Sequence, residues 1–167
     1  EEDEAPEVDM GGAALSVLGT VYQLGKHRLL CGNGLDMNNV ELLMNGAKAD
    51  MVLTDPPYNT GSRSWKYNNN YVDGSDSFRH SKWISFMHHR LLLAKNLLSD
   101  SGIICVTIDD NELAKLWLLM DEIFGENNHL GTVAIRINPG GRKSKKKVAL
   151  QHEYALFFAK NSSTKVA

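Results

Sequence analysis

The apolar positions of the chain form two kinds of block, short continuous runs and longer periodic stretches. Continuous runs at 49–54 and 102–108 predict strands that helices cover on both faces. Periodic stretches at 82–98 and 113–124 predict amphipathic helices with one apolar stripe each. The order strand, helix, strand, helix predicts an α/β fold, with a mostly parallel sheet and flanking helices. In the first helix the apolar stripe consists of Trp83, Met87, Leu91, Ala94 and Leu98.

Weaker patterns surround this central region. Apolar residues at 17–24 and 27–31, separated by a Gly-Lys pair, predict two strands joined as a hairpin. Asp36 has the side chain of a helix N-cap and precedes a short amphipathic stretch, so a short helix is expected there. After the second long helix, residues 132–137 and 154–159 predict two further strands.

Two polar segments predict a loop and the start of a helix. Residues 59–76 are rich in Asn, Gly, Ser and Asp and have no helical period, which predicts a long loop. Asp109, followed three residues later by Glu112, resembles a capping box at the start of the second long helix. We prefer this role for Asp109 to that of a catalytic carboxylate pair with Asp110.

Charge is distributed unevenly along the chain. The net charge is −2, but residues 1–10 hold six acidic and no basic side chains, which leaves 18 basic against 14 acidic residues, or +4, for the remainder. We therefore expect a disordered acidic tail over 1–13 and one domain over 14–167. A dense basic run is compatible with a polyanionic partner, and equally with a solubilising surface loop. This run consists of Arg142, Lys143, Lys145, Lys146 and Lys147.

The composition excludes several classes of protein. With 43% hydrophobic and 23% charged residues, the chain is neither disordered as a whole nor a coiled coil. No run of ~18 apolar residues predicts a membrane span, and no secretion signal opens the sequence. Cys31 and Cys105 lack the spacing of metal ligands, so no metal site is expected. These features favour a reduced, cytoplasmic protein.

The segment with the clearest chemistry follows the first predicted strand, 49–54, directly. It reads Asp55, Pro56, Pro57 and Tyr58. Ligands of α/β sheets bind beyond the carboxyl ends of the strands, where this segment is expected. An exocyclic amine of a nucleobase is a poor nucleophile, because its lone pair is delocalised into the ring. A carboxylate and a proline carbonyl could accept hydrogen bonds from its two N–H groups and so free that lone pair. An aromatic ring could stack on the base.

This motif and the blocks around it resemble the amino-methylating DNA methyltransferases, which modify adenine N6 or cytosine N4. The blocks follow the order of the subgroup with an early DPPY motif, to which many modification subunits of restriction systems belong. They cover about residues 20–160 and read HRLLCGNGLD, DPPYNTG, KWISFMHHRLLLAKNLLSDSG, GIICVTIDDNELAKL, DEIFGENN and HEYALFFAK. The resemblance implies a Rossmann-like fold, S-adenosylmethionine as methyl donor, and double-stranded DNA as partner.

The resemblance also implies the residues of the site. Gly32 and Asn33 stand where the family usually has Gly-Asp near the cofactor, and Asp55 is expected to contact the cofactor as well as the target amine. Asn59 and His152 are expected to contact nucleic acid, together with the basic run. The family's Gly-rich block for the methionine part of the cofactor lies C-terminal to all these blocks and is not in this sequence. We therefore expect an incomplete methyltransferase domain.

The resulting hypothesis is a fragment of a site-specific DNA methyltransferase. It would transfer a methyl group from S-adenosylmethionine to an exocyclic amino group, with adenine N6 favoured over cytosine N4 because the motif begins with Asp rather than Ser. Two alternatives stay open: a non-catalytic nucleic-acid-binding remnant of the same fold, and an RNA N6-adenine methylase. The expected protein partner is a restriction subunit or a second copy of the chain.

Overall fold

The computed structural model of the protein describes residues 16–60, 72–137 and 151–164. The predicted acidic tail at 1–13 and the basic run at 142–147 lie outside these residues. The chain divides into two compact units, and we describe each by itself.

The first unit, Glu1–Gly46, begins its described part with the predicted hairpin. Strands β1 (Val21–Leu24) and β2 (His27–Leu30) pair antiparallel. Gly25 in the connecting turn has a φ of 61°, a left-handed conformation that glycine adopts without steric cost. The Gly-Lys pair is therefore the hairpin turn that the sequence predicts.

The short helix of this unit, α1 (Met37–Met44), also follows the prediction. The side chain of Asp36 accepts a hydrogen bond from the backbone N–H of Asn38 at 3.0 Å, as an N-cap does. The helix ends at Asn45, whose φ of 52° is left-handed. None of the described residues 16–46 is buried, so this unit has no core of its own within the described part.

The second unit, Ala47–Ala167, contains a sheet with two long helices. Its order of strands across the described sheet is β3-β4-β6-β5. The elements are β3 (Ala49–Thr54), α2 (Arg79–Leu97), β4 (Leu98–Ile108), α3 (Leu113–Phe124), β5 (His129–Arg136) and β6 (His152–Ala159).

The sheet confirms the α/β class but is mixed. β3 and β4 pair parallel, whereas β6 pairs antiparallel with both β4 and β5. Three of the four described strands therefore run in one direction, with β6 reversed between two of them. The prediction of a mostly parallel sheet holds for strand direction but is wrong for pairing, since one of the three pairings is parallel. β5 and β6 are consecutive antiparallel neighbours, which need no helical crossover, and a sequence pattern does not reveal this.

One continuous core lies between the sheet and the two long helices. The predicted apolar stripe is buried along its whole length, from Trp83 on α2 to Leu98, which is the first residue of β4. On α3, Leu116 and Met120 are fully buried, and they share the core with Ile104 of β4. Burial of these large apolar side chains is the main stabilising contribution, at about 1.5–3 kcal/mol for each fully buried residue.

The described helices of this unit cover one face of the sheet, which corrects the expectation that both faces of β3 are covered. Val52 packs against the core, but the alternate residues Met51 and Leu53 are 52% and 69% exposed. Successive side chains of a strand point to opposite faces, so these two lie on the face away from the core. Within the described residues β3 is also an edge strand.

Several element boundaries differ from the sequence prediction, and those of α2 and β4 matter most here. Helix α2 begins at Arg79, three residues before the predicted stretch, and β4 begins at Leu98, four residues before the predicted strand at 102–108. Gly102 allows β4 to lie close to the backbone of β3, because a Cβ at this position would lie 3.0 Å from the carbonyl oxygen of Ala49. Within the described ranges, no helix is long and apolar enough to cross a membrane.

Candidate active site

The motif lies at the end of the sheet of the second unit where β3 and β4 finish, an end that we call the sheet edge. Thr54, the last residue of β3, pairs in register with Val106 of β4, so Asp55 and Thr107 follow at the same edge. β6 runs antiparallel to β4, which brings the first residues of β6 to this edge as well. The motif therefore lies at the carboxyl ends of the parallel strands β3 and β4, the position at which α/β sheets bind ligands.

Asp55 is exposed at the end of β3. The hydroxyl of Thr107 donates a hydrogen bond to one carboxylate oxygen of Asp55, with an O–O distance of 2.5 Å. A hydroxyl-to-carboxylate bond of this length is charge-assisted and orients the acceptor. The carboxylate is therefore held in place by a neighbouring strand and still faces solvent.

The two prolines have different environments. Pro56 is buried, and among the residues that the structure describes none donates a hydrogen bond to its carbonyl. The carbonyl of Pro57 accepts a hydrogen bond from Nε1 of the fully buried Trp83, at 2.6 Å. Helix α2 thus anchors the motif at Pro57, while the Pro56 carbonyl keeps its capacity to accept a hydrogen bond.

Tyr58 is half-buried and packs against the core of the second unit. Its hydroxyl donates to a carboxylate oxygen of Glu153 on β6, at 3.2 Å. The sequence prediction gives this ring the role of stacking on a base, and its contact with the core leaves only part of the ring available. No local pattern indicates Glu153 as a partner of Tyr58, because the two residues are 95 positions apart along the chain.

The phenol of Tyr58 is held in its neutral form. Burial raises its pKa above the usual range, and the carboxylates of Asp55 and Glu153 raise it further because they repel a phenolate. A hydrogen bond with Thr107 acts in the opposite direction. At neutral pH the hydroxyl therefore remains a hydrogen-bond donor between two acidic groups.

Asn59 does not have the environment that a contact with nucleic acid requires. Its side chain is 0% exposed, and its backbone has a left-handed φ of 55°. Its amide nitrogen donates to Oε1 of Glu112 at 2.7 Å and approaches the carbonyl of Arg79 at 3.4 Å. The prediction of a DNA contact at Asn59 is therefore wrong for this conformation, and the residue instead supports the motif from the interior.

Glu112 is the residue that the sequence analysis assigned to a different role. It is the N-cap residue of α3, but its side chain makes no capping hydrogen bond, so the predicted capping box with Asp109 is wrong. The side chain is 0% exposed and contacts Asn59 and His80 instead. Asp109 accepts a hydrogen bond from the backbone N–H of Asn111 at 2.9 Å. Because Asn59 and His80 lie on other elements, no local pattern could have indicated these two contacts.

His152 lies at the start of β6 in a second polar group. Its Nε2 is 2.7 Å from the hydroxyl of Tyr154, which donates to a carboxylate oxygen of Asp110 at 3.0 Å. Desolvation raises the pKa of Tyr154, and so does its bond to Asp110, so this phenol too stays protonated at neutral pH. His152 and Tyr154 are half-buried, and contact of His152 with nucleic acid stays a prediction.

The two proposed cofactor residues of the first unit are exposed. A Cβ on Gly32 would lie 2.8 Å from Cδ2 of Leu30 and 2.9 Å from Nδ2 of Asn39, so local packing alone accounts for a glycine here. The side-chain oxygen of Asn33 accepts a hydrogen bond from the backbone N–H of Leu35 at 2.9 Å. Their role toward the cofactor stays a prediction.

The remaining predicted contacts are those of the basic run. Arg142, Lys143, Lys145, Lys146 and Lys147 lie outside the described residues. Over residues 16–60, 72–137 and 151–164, no group of three or more His, Cys, Asp or Glu side chains could hold a metal ion.

Comparison with known proteins identifies the family. Residues 49–166 match the sequence profile of the N6/N4 methyltransferases, described as DNA methylase. This match covers well over half of the chain and includes the whole motif, so the protein belongs to the DNA methylase family. Membership was expected from the motif and its neighbouring blocks, and it is confirmed.

Relatives of known type share substantial identity with the chain. The type II methyltransferase M.KpnI of Klebsiella pneumoniae is 40% identical over 119 residues, which are 71% of this chain and 28% of that protein. The type III restriction-modification enzyme EcoP15I Mod subunit of Escherichia coli is 31% identical over 159 residues, or 81% of this chain and 24% of that protein. The chain thus spans about a quarter of the length of these relatives.

Solved structures give weaker similarity. The M1.HpyAVI–SAM complex matches with a TM-score of 0.46 and 16% identity, over 75% of this chain and 50% of that one. The PvuII cytosine-N4-specific DNA methyltransferase matches with a TM-score of 0.47 and 13% identity, over 74% and 47% of the two chains.

Proposed function

We propose that this chain carries the catalytic motif of a site-specific DNA methyltransferase that modifies an exocyclic amino group, adenine N6 in preference to cytosine N4. The single observation that supports this most strongly is the pair of acceptors at the sheet edge. The carboxylate of Asp55 is exposed and oriented by Thr107, and the adjacent Pro56 carbonyl has no donor among the described residues.

These two acceptors suit the chemistry of an amine whose lone pair is delocalised. Asp55 and the Pro56 carbonyl each accept a hydrogen bond from one N–H of the amino group. This favours tetrahedral geometry at nitrogen and makes the lone pair available. The Asp55 carboxylate also stabilises the positive charge that develops on nitrogen during attack. Preorganised groups of this kind are worth about 10²–10³ in rate in other enzymes.

We propose S-adenosylmethionine as the cofactor, which when bound supplies a methyl group on a sulfonium sulfur. Of the predicted cofactor residues, Asp55 fits best, because an exposed carboxylate at the carboxyl ends of parallel strands can accept hydrogen bonds from a ligand. Gly32 and Asn33 are exposed and hence accessible, and we retain them as proposed contacts.

Double-stranded DNA is the proposed substrate. The half-buried Tyr58 would contact the target base, and His152 with the basic run would contact the surrounding nucleic acid. EcoP15I Mod and its type III relatives are named as subunits, which supports a restriction subunit as partner, and a second copy of the chain is the other proposal. We propose a cytoplasmic location, where its DNA substrate would be.

The test is a methyl-transfer assay on the complete gene product that contains this chain. The protein is incubated with S-adenosylmethionine carrying a labelled methyl group and with unmethylated genomic DNA, and the digested nucleosides are identified by mass spectrometry. We expect labelled N6-methyladenine. RNA of matched length and DNA lacking cofactor are the controls.

The other outcomes each oppose the proposal in a defined way. Label found only in RNA would identify an RNA methylase. DNA binding that weakens steeply with salt, without any labelled nucleoside, would identify a non-catalytic remnant. Labelled N4-methylcytosine would preserve the reaction but overturn the preference for adenine.

A further inference from the structure

A buried carboxylate lies on the interior side of the motif. The side chain of Glu112 is 0% exposed, and its Oε1 accepts a hydrogen bond from Nδ2 of Asn59 at 2.7 Å. The same oxygen lies 2.5 Å from Nδ1 of His80, and Nζ of Lys115 lies 3.5 Å from Oε2. A buried carboxylate is unfavourable unless it is hydrogen-bonded and paired, so these contacts are what allow Glu112 to occupy the interior.

The hydrogen-bond partners assign the proton on His80. Arg79 donates from Nε to Nε2 of His80 at 3.3 Å, so Nε2 is the acceptor nitrogen. Nδ1 then carries the hydrogen and donates it to Glu112. Glu112 is consequently the common acceptor for two donors, one on the motif loop and one on the first turn of α2.

Asn59 connects this carboxylate to the motif. It follows Tyr58 directly, and its left-handed φ of 55° is uncommon for a residue other than glycine. β3 fixes the beginning of the motif and Trp83 binds the carbonyl of Pro57, so Asn59 is the third fixed point. Its bond to Glu112 therefore determines where the main chain leaves Tyr58.

We propose that Glu112 is a positioning residue for methyl transfer: through Asn59 it fixes the end of the motif, and thereby the alignment of the Asp55 carboxylate and the Pro56 carbonyl. This inference rests on the function proposed above. Glu112 itself contacts neither substrate nor cofactor, because it has no exposed surface. A displacement of about 1 Å at a reacting group can cost on the order of 10²-fold in rate, so small movements of the motif suffice.

An exchange of donor and acceptor tests the proposal in the complete gene product. Asn59→Asp places two carboxylates together and should lower kcat on the order of 10²-fold. Glu112→Gln removes the charge and should lower kcat less. In the double variant, the amide nitrogen of Gln at 112 can take the position of Oε1 and donate one hydrogen to Asp at 59 and the other to Nδ1 of His80, which then becomes the acceptor nitrogen, so the bond is restored with reversed polarity. We expect kcat of the double variant to be about tenfold higher than that of Asn59→Asp alone. KM for DNA should be unchanged in all three variants.

A second substitution tests the same hydrogen bond in a variant that is expected to fold. Asn59→Gly removes the amide, and glycine tolerates a φ of 55°, so the loss of the side-chain bond is separated from backbone strain. Asn45→Gly is the matched control, because Asn45 has a similar φ of 52° and lies outside the motif. We expect a lower kcat for Asn59→Gly and no change for Asn45→Gly.

A role in folding alone gives a different result from a positioning role. It would lower the melting temperature and the fraction of active enzyme, but kcat per active site, measured well below that temperature, would be normal. Normal kcat per site in Asn59→Gly and Glu112→Gln, or no recovery in the double variant, would overturn the inference. If the wild-type protein methylates no DNA, the proposed function itself fails, which is a separate outcome.

Discussion

Asp55, the first residue of the motif, and Asn59, the residue directly after it, are four residues apart and have opposite environments. Asp55 is exposed and receives a hydrogen bond from Thr107, whereas Asn59 is 0% exposed and donates to Glu112. We propose that the outer side offers acceptors to a ligand, while the hydrogen bond to Glu112 holds the inner side in place. On our proposal one short segment combines a reactive group and its support, so substitutions on the outer side should change kcat alone and several on the inner side should also change stability.

The largest effect is expected on the outer side. Asp55→Ala removes the carboxylate proposed to stabilise charge on the amine, and should lower kcat by about 10²–10³ with the melting temperature nearly unchanged. Single-turnover methyl transfer is the measurement. Asp50→Ala, at an exposed acidic residue of β3, is the control and should retain full rate. Full activity of Asp55→Ala would contradict the assigned chemistry.

On the inner side, Trp83→Phe should affect stability more than chemistry. The substitution leaves the partly buried carbonyl of Pro57 without its donor, and an acceptor that loses its partner away from water costs about 1–3 kcal/mol in the free energy of unfolding. Chemical denaturation measures this loss. Trp117→Phe is the comparison, since Trp117 is only partly buried and should lose less. An equal loss for the two variants would mean that the Pro57 bond contributes nothing specific.

A smaller effect on rate is expected at the group that orients Asp55. Thr107→Val keeps the shape of the side chain but removes the hydroxyl that donates to the carboxylate. We expect kcat to fall roughly tenfold, equivalent to one charge-assisted hydrogen bond of about 1.5 kcal/mol. Thr107→Ser retains the hydroxyl and should stay near the wild-type rate, so a low rate for both variants would point to packing rather than to the hydrogen bond.

The smallest effect concerns alkaline pH. Burial and the neighbouring carboxylates raise the pKa of Tyr58 in the folded protein, so folding favours the neutral phenol. The resulting stabilisation is complete below the unfolded pKa of about 10 and is lost as pH rises beyond it. Tyr58→Phe should therefore show a shallower decrease in stability between about pH 9 and pH 11. Denaturation midpoints across this range measure it, and an unchanged slope would contradict the assignment.

The local elements could be predicted because their signals are periodic and short-range. The apolar stripe of α2 and the bounds of α3 depend on the 3.6-residue period of a helix, and both appear as predicted. The turn of the first hairpin and the N-cap at Asp36 depend on the conformational preferences of single residues, and they too were predicted correctly.

Predictions failed where a residue's partner lies far along the chain. The spacing of Asp109 and Glu112 suits a capping box, but Glu112 binds Asn59, 53 residues earlier. A buried hydrogen bond to a charged group contributes about 1.5–3 kcal/mol, compared with about 1 kcal/mol for a cap. The tertiary contact therefore prevails over the local one. Likewise, the exposed face of β3 depends on where the helices pack, which its apolar sequence does not specify.

The sequence by itself determined the family, the position of the motif after a strand, and the identity of the groups that can accept a hydrogen bond. These follow from residue types and near neighbours. Only the tertiary structure decided that Asp55 faces solvent with Thr107, that Asn59 is interior, and that β6 runs reversed beside β4. The physical reason is that exposure and hydrogen-bond partners depend on which elements meet in space, and residues 32 to 95 positions apart meet here only after the sheet and helices have packed.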